Sequence, residues 1–187
     1  MGRKEMRKLL ICVALLSVWT PAQATAFNTV VQAQSSVTFI SHQMGVTVPG
    51  KFNHFTAQIY FDPHAPQTSS AQVNVATTSV DAGSADANGT LQDKDWFDVR
   101  SWPQATFSTK ALSAIGNGNY RAKGILNIKG KSRQVTVQFH ATPILGGLML
   151  EGDLPISRAT YDIGGGEWAD PSVVGDEVSI HFRFILK

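Results

Sequence analysis

One cysteine, Cys12, stands in 187 residues, and it lies in the N-terminal segment. An intramolecular disulfide framework and a thiolate metal cluster are thereby excluded. Charge is sparse as well: Asp, Glu, Lys and Arg make up 16% of the chain, against about 25% in an average soluble domain. So apolar a chain is not a disordered one. It also lacks an apolar stretch long enough to span a bilayer stably, because the uncharged run from Leu9 to Trp19 has only eleven residues.

That short run is framed in an informative way. Arg3, Lys4, Arg7 and Lys8 precede it with one acid, Glu5, and Thr20-Pro21-Ala22-Gln23-Ala24 follows it. Basic flank, short apolar segment and Ala-x-Ala predict a secretory signal peptide, residues 1–24, cleaved after Ala24. An uncleaved anchor is the weaker reading, and Cys12 lacks the setting of a lipoprotein cysteine. Without residues 1–24 the chain keeps 12 basic against 13 acidic residues, so the formal charge changes from +2 to −1. The apparent basicity belongs to the export signal and does not point to nucleic acid. The exported chain, bound for the periplasm, would hold no cysteine and rest on packing alone.

From Ser36 onward, apolar and polar residues alternate with period two, interrupted by Gly, Pro, Asn and Asp. Expected strands cover Val37–Phe39, Lys51–Phe61, Val73–Thr77, Ala105–Thr109, Tyr120–Ile128, Val135–Ala141, Leu148–Ile156 and Val178–Leu186. Gly116-Asn117-Gly118-Asn119 and Lys129-Gly130-Lys131 are hairpin turns. One helix is expected over Thr90 to Val99, capped by Thr90, with Leu91 and Trp96 or Phe97 inward and Trp102-Pro103 as its stop. An all-β antiparallel domain of eight strands follows, with no linker for a second one. Alternation alone leaves sandwich and barrel open. The inward set is rich in aromatics, among them Phe39, Phe52, Phe55, Phe61, Phe107, Phe139 and Phe182, which could fill a core or line a cavity.

Catalytic and metal chemistry find little to stand on. Gly124 to Ser132 imitates a phosphate loop, but five residues separate its glycines where four are needed, and strands flank it on both sides. The histidines, His42, His54, His64, His140 and His181, have no spacing that sets two on one metal. Asp93, Asp95 and Asp98 lack the closing Glu of a calcium loop and read as helix-end partners. No serine sits in a nucleophile elbow. Arg158 and Asp162 lead into Ile163-Gly164-Gly165-Gly166-Glu167-Trp168. Arg158 either fixes that loop through backbone hydrogen bonds or grips an anionic head group.

Several motifs follow one another in a specific order: Ser36-Val37-Thr38-Phe39 with His42, Gly50-Lys51-Phe52 with Phe55, Ile59-x-Phe61-Asp62-Pro63, Asp95-Trp96-Phe97-Asp98-Val99, Gly124-Ile-Leu126-x-Ile128-x-Gly130, Ile156-x-Arg158, and Ile163 to Trp168. In this order the chain resembles the YceI-like periplasmic proteins, also called polyisoprenoid-binding proteins, over nearly all of residues 25–187. The resemblance implies a single eight-stranded antiparallel lipocalin-like β-barrel. It also implies a non-enzymatic protein, without a cofactor, that holds a long-chain isoprenoid or other lipid (a polyisoprenoid, an isoprenoid quinone or a fatty acyl derivative) for transport, storage or sequestration. The expected contacts are Phe39, Phe52, Phe55, Ile59, Phe61, Val75, Trp96, Phe97, Phe107, Leu126, Phe139, Ile180 and Phe182, with His42 and Arg158 at the head group. Implied partners are the lipid, a cytochrome b561-type membrane protein and a second copy of the chain. Two other roles stay open: a redox accessory handling quinone or isoprenoid intermediates, and a ligand-free stress or interaction protein.

Overall fold

The computed structural model describes residues 26–187, so the expected signal peptide, residues 1–24, lies outside the described residues. The strands are β1 (Ser36–Gln43), β2 (Val46–Phe52), β3 (Phe55–Tyr60), β4 (Ser70–Ala76), β5 (Val80–Asp81), β6 (Gln104–Gly116), β7 (Asn119–Ile128), β8 (Lys131–Ile144), β9 (Gly147–Ser157) and β10 (Glu177–Leu186), with one helix, α1 (Ala85–Gln92). They form one antiparallel sheet in the order β3-β4-β6-β7-β8-β9-β10-β1-β2-β5.

Ten strands replace the expected eight. The stretch from Lys51 to Phe61 breaks at Asn53-His54 into β2 and β3, and its partner breaks at a 3-10 turn, Thr77–Ser79, into β4 and β5. Hydrogen bonds hold the break, the Asn53 N–H donating to the Ser79 carbonyl and the Ala76 N–H to that of His54, both at 3.0 Å. Pairing changes at this kink. β2 pairs with β1 and β5, whereas β3 pairs with β4 at the far end of the order. Two residues therefore join opposite ends of the sheet, and the sheet must curl into a barrel.

Three connections are two-residue turns whose residues both have positive φ: Met44-Gly45, Asn117-Gly118 and Lys129-Gly130. This geometry matches the twist of antiparallel neighbours and makes tight hairpins. At the β7–β8 turn the Lys129 ammonium donates to the Asp162 carbonyl at 2.6 Å, and Lys131 pairs with the Asp162 carboxylate at 2.9 Å.

The inward set on β7 is Tyr120, Ala122, Gly124, Leu126 and Ile128, all buried. Gly124 is required by close approach. A Cβ there would lie 2.6 Å from the Phe107 ring and 2.6 Å from the Ser108 carbonyl oxygen. The ring could turn, but the carbonyl is fixed in the β6–β7 ladder. Gly124→Ala is expected to destabilise the barrel by about 1–3 kcal/mol, the usual cost of overpacking, read from a urea unfolding midpoint.

The helix begins and ends earlier than the expected Thr90–Val99. Ser84 caps α1, its hydroxyl accepting from the Ala87 N–H at 3.2 Å, and Asp86 lies in the first turn, where a negative charge suits the helix dipole. Thr90 is inside the helix and its hydroxyl donates back to the Asp86 carbonyl at 3.0 Å. After Gln92 the Asp93 carbonyl collects the N–H groups of Trp96 and Asp98, and Asp98 takes a left-handed φ of 45°. An Asx-type residue tolerates that conformation, so the chain turns here where a helix was expected.

Candidate functional site

The curled sheet and α1 enclose a cavity of about 360 Å³, within the range of small-molecule sites. One end is a closed floor. Phe61, fully buried, meets Tyr120 edge-on at 4.9 Å and Phe139 at 5.9 Å, while Tyr120 and Phe139 stack at 5.5 Å. Main-chain pairing of Phe27 with Phe61 and of Val30 with Leu186 ties the N-terminal stretch across this end. At the other end the walls are Phe39, Phe52 and Phe97, in successive contact at 5.6 and 5.8 Å, together with α1 and the loop from Ile163 to Val174.

Thirteen of the fifteen expected contacts border this cavity: Phe39, Phe52, Ile59, Phe61, Val75, Trp96, Phe97, Phe107, Leu126, Phe139, Arg158, Ile180 and Phe182. Phe55 does not; its ring packs on Phe184 at 5.9 Å. His42 does not either. On β1 the lining residues are Phe39, Ser41 and Gln43, so the two-residue period turns the His42 side chain to the opposite face, while its main-chain carbonyl, in the plane of the sheet, accepts from the Gly175 N–H at 2.8 Å. A head-group contact for His42 is therefore corrected by strand parity.

Arg158 borders the cavity but has no donor to offer. Its Nε donates to the Gly175 carbonyl at 3.0 Å, Nη1 to Ile163 and Gly164 at 2.8 and 2.7 Å, and Nη2 to Trp168 and Val174, both at 2.7 Å. These five bonds use all five guanidinium N–H groups. The side chain is 3% exposed, and burial lowers its pKa, opposed by Asp176. In place of the expected head-group contact, Arg158 holds the loop that walls the cavity. Gly164, at φ 72°, must lack a side chain because a Cβ would strike the guanidinium.

The two segments covering this end, 81–98 and 162–177, carry ten of the chain's acidic residues and one basic residue, Lys94. A backbone hydrogen bond from Gly83 is the main cause that holds the Asp81 carboxyl below its ordinary value, with Asn88 and Lys51 adding to it. Asp162 is lowered chiefly by its hydrogen bond and charge pairing with Lys131, and Asp170 by hydrogen bonds from Ser172. Lys51 on β2, Lys129 in the β7–β8 turn and Lys131 on β8 offset part of this charge, pairing with Asp81 and Asp162.

Several lining residues escaped the sequence reading. Leu154, Ile156 and Val178 carried the inward parity and could have been included on that signal. Ile163, Trp168 and Val174 lie in the irregular loop, where no periodicity marks them, and are brought inward by Arg158.

A curled antiparallel sheet around a largely apolar cavity defines the class of ligand-cavity β-barrel proteins. The YceI-like domain family matches residues 29–186, and the chain belongs to that family. A UPF0312 protein of Vibrio cholerae serotype O1 is 30% identical over 137 residues, covering 71% of this chain and 72% of the relative. The crystal structure of Burkholderia cenocepacia BcnA has a TM-score of 0.83 at 39% identity, covering 85% of this chain and all of that one. The structure of a polyisoprenoid binding domain from Saccharophagus degradans has a TM-score of 0.65 at 17% identity, covering 87% and 97%, and shares the fold.

Proposed function

We propose that the protein is exported to the periplasm and binds a long-chain isoprenoid or similar amphiphile in the barrel, to carry, store or sequester it. The observation that carries this reading is the cavity itself, walled by Phe, Leu, Ile and Val side chains from nearly every strand. Burying about ten carbons of an apolar tail would contribute roughly 8 kcal/mol at about 0.8 kcal/mol per methylene, enough to offset much of the entropy lost on association. The polyisoprenoid binding described for the Saccharophagus degradans domain of the same fold agrees with such a ligand, and the signal-peptide pattern of residues 1–24 agrees with export.

Binding without turnover is supported by the lining. Among the described residues its one charged side chain is Arg158, whose donors are spent on the backbone. Solvent extraction of the purified protein followed by mass spectrometry is expected to release a prenyl or acyl compound at close to one per chain. Recovery of buffer and solvent components alone, from protein that also fails to take up added prenyl lipid, would refute the carrier role.

A further inference from the structure

The turn that joins β1 to β2 departs from the chemistry its geometry favours. Met44 takes a left-handed φ of 48° ahead of Gly45, at a turn position that suits Asn or Asp better than a long apolar side chain. Lys129, in the same position of the β7–β8 turn, reaches the Asp162 carbonyl, whereas Met44 is 73% exposed. Val46, across the turn, is 66% exposed although it stands opposite Gln43 and so shares the inward face of the hairpin. Gln43 and Val48 line the cavity, and Gln43 is itself exposed. The cavity thus reaches the surface here, and the hairpin's inner face continues past it to Val46. The tip is braced: the Met44 N–H donates to the Val173 carbonyl at 2.8 Å, and Gln43 pairs with Val174, in the loop that Arg158 fixes. From Ile40 to Gly50 the sequence has no Asp, Glu, Lys or Arg. Lys51, just beyond, pairs with Asp81 at 3.6 Å, and in the flanking loop Asp170 accepts from the Ser172 N–H and Asp176 from the Ala159 N–H.

We propose that this tip, Met44 and Val46, enters a lipid bilayer and sets the cavity mouth against it, so that an apolar ligand passes between membrane and barrel along the hairpin's inner face. This inference rests on the lipid-binding reading, since the ligand of such a cavity is itself a bilayer constituent, and adds the surface from which it is taken. Interfacial insertion grows with buried apolar area and with attraction to anionic lipid. The tip supplies the first and, lacking Lys and Arg, not the second, so a zwitterionic bilayer suffices. Strand addition by another protein is disfavoured at this edge. Among the described residues β2 pairs with β5 only at Lys51 and Phe52, which leaves Thr47 and Pro49 toward the free side, and Pro49 has no N–H to give. Leu145, in the β8–β9 turn, is more exposed still, but that turn adjoins Leu148 and its partner Leu186 at the floor, away from the mouth.

The test uses small phosphatidylcholine vesicles containing a spin-labelled phospholipid, with geranylgeraniol as the ligand. The Met44 methyl resonance of the unmutated protein is expected to broaden when the vesicles are added. That of Met149, on the face of β9 opposite the cavity-lining Leu150 and bonded through its sulfur to Arg183, is expected to stay sharp. Met44→Asn combined with Val46→Thr is expected to slow transfer of geranylgeraniol from vesicles to protein about tenfold, or about 1.4 kcal/mol in the barrier. Affinity for geranylgeraniol added without vesicles is expected to stay within about twofold. The melting temperature should not fall, because Asn suits a left-handed turn residue and Thr keeps the β-branch. Leu145→Asn should transfer at the parental rate. A Met44 methyl indifferent to vesicles, a double variant that transfers at the parental rate, or an equal slowing by Leu145→Asn would each overturn the docking. A Met44 resonance that moves with protein concentration before vesicles are added would assign the tip to a second copy of the chain and overturn it as well. If geranylgeraniol binds from neither source, the lipid-binding reading falls, while the Met44 broadening still decides the docking.

Discussion

Arg158→Met is expected to lower the stability of the barrel by roughly 4 kcal/mol, among the larger effects a single substitution produces. Five carbonyls, of Ile163, Gly164, Trp168, Val174 and Gly175, lose their donor together. Each carbonyl that stays buried and unpaired costs about 1–3 kcal/mol, and the loop can relieve part of that only by opening to water. For a chain of this length the loss corresponds to a fall of about 10 °C in melting temperature. Arg158→Lys is expected to recover only part of it, since one ammonium has three N–H groups on a single nitrogen and cannot span five carbonyls. Thermal melting with hydrogen exchange over residues 163–175 checks both variants. A methionine variant melting within about 2 °C of the parent would remove Arg158 from this role.

Charge placed at the floor and in the wall of the cavity should act in opposite ways. Phe61→Asp puts a carboxylate at a fully buried position against Tyr120 and Phe139 and beside the main-chain pairing with Phe27. The substitution loses an aromatic worth about 3–5 kcal/mol in cores and leaves a charge without a partner, so no folded protein is expected at 25 °C. Phe182→Asp is different. Phe182 is only partly buried and borders the cavity while resting on Phe184 at 5.5 Å. A carboxylate there can stay hydrated in an unliganded barrel, and it must lose that hydration when an apolar tail enters. The Phe182 variant is expected to fold, with a lower melting temperature, and to lose prenyl-lipid retention at least tenfold, at about 1.4 kcal/mol per factor of ten. Melting curves and ligand retention measured together decide the matter. Loss of folding in both variants would make the interior a solid core, and retained binding in the Phe182 variant would place the tail elsewhere.

Much of the fold was legible because a sheet with one wet face writes period two into the chain. Residues 120–128 show it best, where the inward parity from Tyr120 to Ile128 is the buried set found in β7. The same parity contained the answer for His42: once Phe39 faces inward on β1, His42 cannot. The break at Asn53-His54 left only a change of parity in the sequence, the inward residues being Val48 and Phe52 before it and Ile59 and Phe61 after it, which one unbroken strand cannot present on one face. What splits the strand there is a change of pairing partner, visible only when β5 and β4 are in place. The helix shifted for a local reason, Ser84 being a cap ahead of the expected Thr90.

By itself the sequence determined the antiparallel β class, the inward faces and the family, since these depend on side-chain period and motif order along the chain. Tertiary structure alone decided that the inward faces enclose a cavity, because alternation is the same for a filled core and a hollow one. It also decided the meaning of the scarce charges. Arg158 is consumed by carbonyls up to seventeen residues away, and Asp162 meets Lys129 and Lys131 at the β7–β8 turn, the former 33 residues before it. These are relations across the fold, set by where the kinked ribbon and the loop come to rest.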